Sequence, residues 1–574
     1  MRKENGPGTI DWIKKNWEYP ALILIVALAI FLRVYKFDSW LHFGMDQTRD
    51  AYLVSEAVKE GPSHLPLLGP RAGGTFVRLG PIFYYFQYLS AEIFHSVAPP
   101  VFAYPDLLFS ILTIPLFFLF LRYFFSKGTA LLVASLYAFN FVMIQFSRFA
   151  WNPNSVPFWT LLTFFALLKS IDENQKKKKY IWLSAAAIGW AIAGQLHFVV
   201  LAAIPAVFFF FLLWTGKWRN YSWKEIVFFA STIIILFLPV ILSDIKMQGD
   251  NIKQFIWAFE YKPQQHGLFE NIKASITSRA NYYTVILTTY ISPTGKASLL
   301  AGIVLSIFGA GYLIHGIRKE ENEKRKNFLK LIFVWAGVSF LILIPFAFQI
   351  KPRFLFFEIF IPFIFVGMGI EWMMKGEKYR NFVSAAAIIL ALSVIGLNLE
   401  ATGAWFNKLK NGGKFNVLGN RLSFIQYPKA VTLADFEEIA DYLEKKWKEA
   451  PAKLYFYGNL ELRNPPLYLL ETNNPQIDYE YFSYKTRDFS GRYFSITTDG
   501  GNFESLPKHY QPKFDLVYNE TFDKLAVQEL RLKPDQPKNS EKESLKEPKI
   551  ESETEKNAKK GIKKSERVLW GELF

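Results

Sequence analysis

The chain has 574 residues, of which 51% are hydrophobic and 57 are Phe, and it carries a formal net charge of +16. This composition is too apolar and too aromatic for an ordinary soluble protein and indicates a polytopic membrane protein. The absence of Cys excludes disulfides, thiolate metal sites and cysteine nucleophiles. The excess of Lys and Arg is typical of loops that face anionic lipid on the cytoplasmic side, so no nucleic-acid partner is expected.

The apolar runs predict the membrane helices. Residues 1–19 are polar, and no small-residue cleavage site follows the first apolar run at 20–35, so we interpret this run as an uncleaved span after a cytoplasmic N-terminus. Ten further apolar runs have lengths close to the about 17–25 residues that a helix needs to cross a bilayer. They lie near 102–121, 129–146, 155–171, 180–196, 198–214, 225–242, 298–316, 328–347, 354–373 and 381–398.

Residues 79–97 are ambiguous, and the distribution of positive charge decides whether they cross, because short cytoplasmic loops collect Lys and Arg. If they do not cross, six basic clusters all lie inside: Lys14-Lys15, Arg122/Lys127, Lys176 to Lys179, Lys217/Arg219, Arg318 to Lys326 and Lys375/Lys378/Arg380. If they cross, every cluster after the first lies outside. We therefore predict an interfacial helix here, with Tyr84, Tyr85 and Tyr88 at the headgroup boundary.

The predicted fold is mainly α, with about 11 transmembrane helices over 20–399 and long outer loops at 37–101 and 243–297. From about residue 400 the composition becomes that of a soluble domain. An amphipathic helix and three strands predict a small extracytoplasmic α/β domain over 400–533; they lie at 434–448, 453–457, 514–518 and 525–532. Residues 534–574 form a Lys/Glu-rich tail with almost no apolar residue before Val568, and we expect it to be disordered.

The strongest candidate site lies in the first outer loop. Asp46, Arg49 and Asp50 follow Gly44 at the start of a helix predicted from about Gln47 to Lys59. Charged side chains at the outer ends of spans are candidates for function, since burying charge near lipid is costly. Asp46 can alternatively be the N-cap of this helix, and the other two can be plain surface charges.

Two further groups of cations face the same side. Arg71 and Arg78 lie in a Pro/Gly-rich segment, and they predict either a lipid-phosphate site or nonspecific headgroup contacts. Lys351 and Arg353 lie in a short outer connection, with Glu358 slightly deeper. This trio is either a phosphate-binding group with a balancing carboxylate or an interfacial ion pair.

Two outer turns carry candidate sugar-binding groups. Trp151 and Asn152 belong to Ser-Arg-Phe-Ala-Trp-Asn-Pro-Asn, and His197 follows Gln-Leu. An indole face and an amide suit a sugar, although these residues are also typical of a membrane anchor and a turn, and His197 of a structural contact. No metal-ligand spacing and no phosphate-cradling Gly-rich loop appears, so direct nucleotide use is not expected.

The order of these motifs resembles the GT-C membrane glycosyltransferases over roughly residues 15–400. Within them it is most similar to the branch of protein O-mannosyltransferases and the lipid A aminoarabinose transferase. The motifs are Met45-Asp46-Gln47-Thr48-Arg49-Asp50, the Tyr-rich helix, the turn at 147–154, Gln195-Leu196-His197-Phe198 and Lys351-Pro352-Arg353-Phe354.

This resemblance implies an enzyme that moves a sugar from a polyprenyl-phosphate donor to an acceptor on the outer face. Asp46 matches the family's first-loop catalytic base, but many members carry Asp-Glu where this chain has Asp46-Gln47, so Asp50 is the second candidate carboxylate. Arg71, Arg78 and Arg353 are expected to hold the leaving phosphate, and direct attack with one base predicts inversion. No cofactor is implied with certainty, and a divalent metal stays open.

The expected partners are the lipid-linked donor, the bilayer, and an acceptor that is a protein, a lipid or a glycan. The competing hypothesis is a lipid or polysaccharide transporter without transferase activity. A transporter places its charges near the bilayer midplane on broken helices. The charges of this chain cluster at one interface, which favours the enzyme.

Overall fold

The structure is a computed structural model that describes residues 15–72, 77–261, 266–289, 296–374, 380–412, 430–483, 486–498, 506, 508, 510–534 and 568–573. It is mainly helical with one small sheet. The membrane part comprises helices α1 (Glu18–Val34), α2 (Met45–Glu60), α3 (Ile82–Phe94), α4 (Pro99–Leu121), α5 (Lys127–Ala138), α6 (Phe141–Phe146), α7 (Val156–Asp172), α8 (Lys176–Leu196), α9 (Phe198–Thr215), α10 (Trp223–Lys246), α11 (Asp250–Tyr261), α12 (Leu268–Thr288), α13 (Lys296–Lys319), α14 (Glu323–Leu343), α15 (Phe360–Met373) and α16 (Arg380–Asn411).

Six helices in the described part are long and apolar enough to span a membrane: α4, α9, α10, α13, α14 and α16. A multi-pass membrane protein is thereby confirmed. The other five predicted spans fall on helices that are shorter or less apolar, and one of them is broken. Of the basic clusters, Lys375 and Lys378 lie outside the described residues.

The run at 129–146 forms two helices because the chain breaks at Phe139–Asn140. The break is stabilised from two other helices: Arg33 Nη1 donates to Ala138 O at 2.9 Å, and Asn398 Oδ1 accepts from Phe141 N at 2.9 Å. Backbone groups freed at a break in lipid must find such partners. The predicted span at 129–146 is therefore built from two helices rather than one.

The ambiguous run at 79–97 forms the 13-residue helix α3, which is not among the candidate spans. Its tyrosines do not all face lipid headgroups, contrary to the prediction. Tyr84 is fully buried and donates its hydroxyl to Asp50, and Tyr85 donates to Pro66 O at 3.1 Å. The predicted loop at 243–297 likewise contains two helices, α11 and α12.

The C-terminal part forms a mixed five-stranded sheet with the order β2-β1-β3-β5-β4. β1, β2 and β3 are parallel, whereas β5 is antiparallel to β3 and to β4. Its elements are α17 (Leu433–Glu449), β1 (Leu454–Gly458), α18 (Leu460–Asn473), β2 (Tyr479–Tyr481), β3 (Arg492–Thr497), β4 (Phe514–Thr521) and β5 (Ala526–Leu532). The sequence prediction located α17, β1, β4 and β5 but missed α18, β2 and β3.

The last described residues, 568–573, pack on the first outer loop. Leu67 N donates to Val568 O at 2.8 Å, and Trp570 N donates to Leu65 O at 3.1 Å. The Trp570 indole N–H donates to Tyr85 Oη at 2.8 Å. The expectation of a disordered tail does not hold for this apolar end, because it buries Val568 and pairs its backbone; residues 535–567 lie outside the described residues.

We predict that Trp570→Ala raises hydrogen exchange at Leu65 and Leu67. The substitution removes both the indole hydrogen bond and the apolar contact that hold the terminal segment in place. Exchange measured by mass spectrometry on the purified protein checks this expectation. Trp218→Ala, at a tryptophan that is 50% exposed, is the control. Unchanged exchange at 65–67 in the Trp570 variant would contradict the docking of this segment.

Candidate active site

Asp46 lies in the first turn of α2. Gly44 is the N-cap of this helix, so the alternative interpretation of Asp46 as the cap is wrong. The Asp46 carboxylate is 40% exposed and accepts one hydrogen bond from Arg49 Nη1 at 2.8 Å. Asp46 is thus a fixed carboxylate that stays open to solvent.

Asp50 occupies a different environment from Asp46. Its side chain is 4% exposed, and Oδ1 accepts from Arg49 Nε at 2.9 Å and from Tyr84 Oη at 3.1 Å. Burial raises the pKa of Asp50 to about 6, and the neighbouring Arg49 opposes this rise. Arg49 therefore bridges a buried carboxylate and an open one.

Gln47 occupies the position at which many GT-C enzymes carry the Glu of an Asp-Glu pair, and its contacts require an amide. Its side-chain oxygen accepts from Gly44 N at 3.1 Å, and its Nε2 donates to Ala150 O at 3.0 Å. A glutamate at this position can make the first bond but cannot donate the second. The amide thus joins α2 to the turn that contains Trp151.

A carboxylate from α18, the helix that follows β1, contacts the start of α2. Glu461 Oε2 accepts from Met45 N at 2.6 Å, one residue before Asp46. A Cβ at Gly44 would lie only 2.6 Å from this oxygen, so glycine permits the close approach. Sequence reasoning missed Glu461, which is 416 positions from Met45.

A buried aspartate positions the second outer turn. Asp106 in α4 is 3% exposed and accepts from Trp151 N at 2.9 Å. Asn152 Nδ2 donates to Leu196 O at 2.7 Å, which ties this turn to the one that carries His197. Sequence reasoning also missed Asp106, although a carboxylate inside an apolar run is itself a signal.

His197 is 5% exposed and stacks on Phe198. Burial and, to a smaller extent, the nearby positive charge of Arg353 together lower the pKa of His197 to about 3. Its Nδ1 is buried and has no hydrogen-bond partner within the described chain. His197 is therefore a neutral imidazole with one ring nitrogen unused.

Arg353 lies beside these two turns. Its guanidinium carbon is 5.6 Å from the centre of the Trp151 ring, and its half-buried side chain forms no ion pair among the residues described. Burial lowers the pKa of Arg353, and the negative charge of Asp46 opposes this shift. Lys351 is exposed.

Glu358 is not the balancing carboxylate of Arg353, which corrects the predicted trio. It is 1% exposed, and its Oε1 accepts from Arg279 Nε in α12 at 2.6 Å. The sequence interpretation placed residue 279 in an irregular loop, so this buried pair was not foreseen.

Arg71 and Arg78 form a bridge across an antiparallel hairpin. Leu79 N donates to Pro70 O at 3.0 Å, and Gly80 N donates to Gln195 O at 3.1 Å. The first bond lies within the hairpin, and the second attaches it to the turn of His197. Residues 73–76 lie outside the described residues.

Direct contacts thus connect four outer segments: the first outer loop, the turn at 147–154, the turn of His197 and the connection that carries Arg353. Asp46 and Arg49 lie at one end, Trp151, Asn152, His197 and Arg353 lie next to them, and the hairpin of Arg71 and Arg78 adjoins His197. Within the described ranges, no group of three or more His, Cys, Asp or Glu is placed to hold a metal ion.

The fold is that of the GT-C membrane glycosyltransferases, which confirms the resemblance predicted from the sequence. Residues 21–243 match the family described as dolichyl-phosphate-mannose-protein mannosyltransferase. Among solved structures, the chain is similar to ArnT from Cupriavidus metallidurans in the apo state, with a TM-score of 0.52, 13% identity, and 89% of this chain and 98% of that chain covered. The same protein bound to undecaprenyl phosphate gives 0.52, 13%, 88% and 97%.

The chain also matches the archaeal oligosaccharyltransferase AglB from Archaeoglobus fulgidus, with a TM-score of 0.49 and 13% identity. That match covers 80% of this chain and only 64% of AglB, so the chain spans less than two thirds of that protein. No curated protein matches the sequence.

We predict that Asp50 makes stability depend on pH. Because the folded-state pKa is raised from 3.8 to about 6, folded protein binds the proton more tightly than unfolded protein. The contribution of Asp50 to stability is therefore present at low pH and is lost as pH rises through about 4 to 6, by up to about 3 kcal/mol. Thermal unfolding of the parent protein and Asp50→Asn between pH 4 and 7 measures this contribution.

The advantage of the parent protein over Asp50→Asn should shrink as pH rises. A difference that stays constant or grows with pH would show that Arg49, rather than burial, dominates the ionisation of Asp50.

Proposed function

We propose that the protein is a glycosyltransferase that moves a sugar from a polyprenyl-phosphate donor to an acceptor, with Asp46 as the general base. The observation that carries this proposal is the open carboxylate of Asp46, fixed by Arg49 in the same region as Arg353, which forms no ion pair among the described residues. A base and a phosphate-binding cation close together are what this transfer requires.

The proposed reaction balances without an added reactant. The acceptor oxygen bonds to the anomeric carbon of the sugar while the bond from that carbon to the donor phosphate oxygen breaks. Asp46 takes the acceptor proton, and polyprenyl phosphate leaves with the electron pair. Attack from the face opposite the leaving group inverts the anomeric carbon.

We assign the leaving phosphate to cations rather than to an acid, because it departs as an anion. Arg353 is the main candidate, since its contact with the Trp151 ring and its partial burial hold its guanidinium beside the turn of Trp151. Arg71 and Arg78 lie on the hairpin that is attached to the turn of His197 and are further candidates. Lys351, which is exposed, adds a positive charge near Arg353. Cations in a partly desolvated site bind phosphate strongly.

We assign sugar or acceptor contacts to Arg49, Trp151, Asn152 and His197. Neutral His197 can accept a hydroxyl hydrogen at its unused nitrogen. Asp50 is assigned to holding Arg49 rather than to touching substrate, because it is buried. Glu358 is left out, since it pairs with Arg279.

Membrane topology is part of the proposal. We infer eleven spans over 20–399 from a cytoplasmic segment 1–19, with 400–533 as the outer α/β domain and 534–574 as its tail. An odd number of spans places the C-terminal part opposite the N-terminus. The contacts of Glu461 with Met45 and of Val568 with Leu67 support this, because they require the first loop, the sheet and the chain end to share one side.

Two comparisons support a lipid-linked donor. The matching family is described by a dolichyl-phosphate-mannose substrate, and the ArnT structure was solved with undecaprenyl phosphate. A transporter is the second candidate, favoured by the break in the helix pair α5 and α6, but protein groups already occupy that break.

We predict that Asp46→Asn lowers transfer by about 10²- to 10⁴-fold, the contribution of a general base. Right-side-out membrane vesicles that contain the protein are supplied with labelled polyprenyl-phosphate sugars and candidate acceptors, and labelled product is counted. Glu60→Gln, an exposed carboxylate at the far end of the same helix, is the matched control and should keep the parent rate.

Binding of undecaprenyl phosphate should be the same in the Asp46→Asn and parent proteins, because Asp46 is not a phosphate ligand. Full transfer by Asp46→Asn would remove Asp46 from the mechanism. Movement of label across the bilayer without a new glycosidic bond would favour the transporter.

A further inference from the structure

The parallel half of the C-terminal sheet has an edge where ligands commonly bind. In open α/β sheets, ligands bind at the carboxyl ends of parallel strands, at the point where the strand order reverses. Here β1 lies between β2 and β3, so the chain adds strands on opposite sides of β1. The carboxyl end of β1 is this reversal point.

That edge lies beside the proposed active site. β1 ends at Gly458, and Glu461, three residues later, contacts the amide of Met45 in the first turn of α2. Tyr479, at the start of β2, instead contacts Tyr52, nearly two turns further along α2. The carboxyl edge therefore points towards the Asp46 end of α2.

Arg463 lies at this edge, next to Gly458 at the end of β1. Its guanidinium carbon stacks 3.9 Å from the centre of the Tyr481 ring, and Tyr481 is fixed by a hydrogen bond from its hydroxyl to Asn464 Oδ1 at 3.2 Å. Arg463 is half-buried, its Nε is buried with no hydrogen-bond partner, and it forms no ion pair in the part of the chain that the structure describes.

An arginine of the sheet, Arg492, has a carboxylate partner of the kind that Arg463 does not have among the described residues. Arg492 at the start of β3 donates two hydrogen bonds to Glu529 Oε1, at 2.9 Å and 2.6 Å. Arg463 also lies in the first turns of α18, where the helix dipole disfavours a cation and favours an anion. A second buried polar atom without a described partner, Oγ1 of Thr497, lies at the end of β3.

Stacking on an aromatic ring stabilises a guanidinium but leaves its N–H donors unsatisfied, and a buried unsatisfied donor is costly. An oxyanion satisfies these donors and neutralises the charge, and arginine binds carboxylate and phosphate through paired hydrogen bonds. The Arg463 guanidinium is therefore suited to bind an anion.

We propose that Arg463, supported by Tyr481, binds an anionic group, a phosphate or a carboxylate, on the acceptor. This inference rests on the proposed function and specifies its acceptor class: a hydroxyl compound that carries a negative charge near the hydroxyl. Arg463 is not among the cations assigned to the donor phosphate, so the donor and acceptor anions bind to different arginines.

The test uses the full chain in lipid nanodiscs and three probes that differ in charge: glycerol 3-phosphate, glycerate and glycerol. Saturation-transfer NMR measures their binding to the parent protein, Arg463→Ala, Arg463→Lys, Asp46→Asn and Arg531→Ala. Arg531 is an exposed arginine of the same sheet and is the matched control.

We expect the parent protein to bind at least one charged probe about tenfold more tightly than glycerol, and the phosphate and carboxylate probes show which anion is preferred. Arg463→Ala should lose this preference, Arg463→Lys should keep part of it, and the Asp46 and Arg531 variants should keep it fully. Unfolding midpoints confirm that the variants fold, and Arg463→Lys carries the test if Arg463→Ala does not.

Equal binding of charged and neutral probes by the parent protein, or an unchanged preference in both Arg463 variants, would overturn the proposal. These outcomes are distinct from failure of the proposed function, because probe binding does not need transfer. An anion preference that depends on Arg463 would stand even if Asp46→Asn retained activity.

Discussion

One charge-assisted hydrogen bond, from the amide of Met45 to the carboxylate of Glu461, connects the two parts of this protein at its proposed active site. The first amides of a helix have no partner within the helix, so they need an acceptor from elsewhere. Here Glu461, in the first turn of α18 directly after β1, accepts from the amide of Met45, the residue before the proposed base. The first turn of α2, the orientation of Asp46 and the placement of the sheet above the membrane helices are therefore coupled.

The remainder of the site is held by buried polar groups at the outer ends of the membrane helices. Arg148 is 1% exposed, donates to the carbonyl of Arg33 in the last turn of α1 and to that of Lys36 just after it, and lies over aromatic rings. Asp106 holds the backbone of Trp151, and Gln47 holds that of Ala150. Each group satisfies backbone atoms that lipid cannot satisfy, so the short outer turns adopt one conformation.

Periodicity and charge were sufficient to predict the broad architecture. The apolar runs locate the membrane helices because burial in lipid requires long apolar segments, and the start of α2 was predicted to within two residues from Asp46, Gln47 and the preceding glycine. The family pattern then singled out Asp46, Trp151, His197 and Arg353, and the structure places these residues in one region.

Contacts between distant parts of the chain could not be predicted in the same way. In the sequence, Glu461 looks like an ordinary surface glutamate. Only the packing of α18 against α2 brings its carboxylate to the amide of Met45. The pairing of Glu358 with Arg279 was missed because α12 is not apolar enough to be recognised as a buried helix. Asn398 shows the same limit, since two of its partners, Phe141 N at the start of α6 and Leu287 O at the end of α12, lie more than 100 residues away along the chain.

The C-terminal α/β part is proposed to position the base Asp46 through Glu461 of α18. The transfer rate of Glu461→Ala tests this most directly. Losing a hydrogen bond to a charged acceptor should lower the rate about tenfold, with donor binding unchanged. Glu461→Gln keeps an acceptor oxygen and should lie between this variant and the parent protein. A parent-like rate in Glu461→Ala would contradict the claim and would separate the sheet from catalysis.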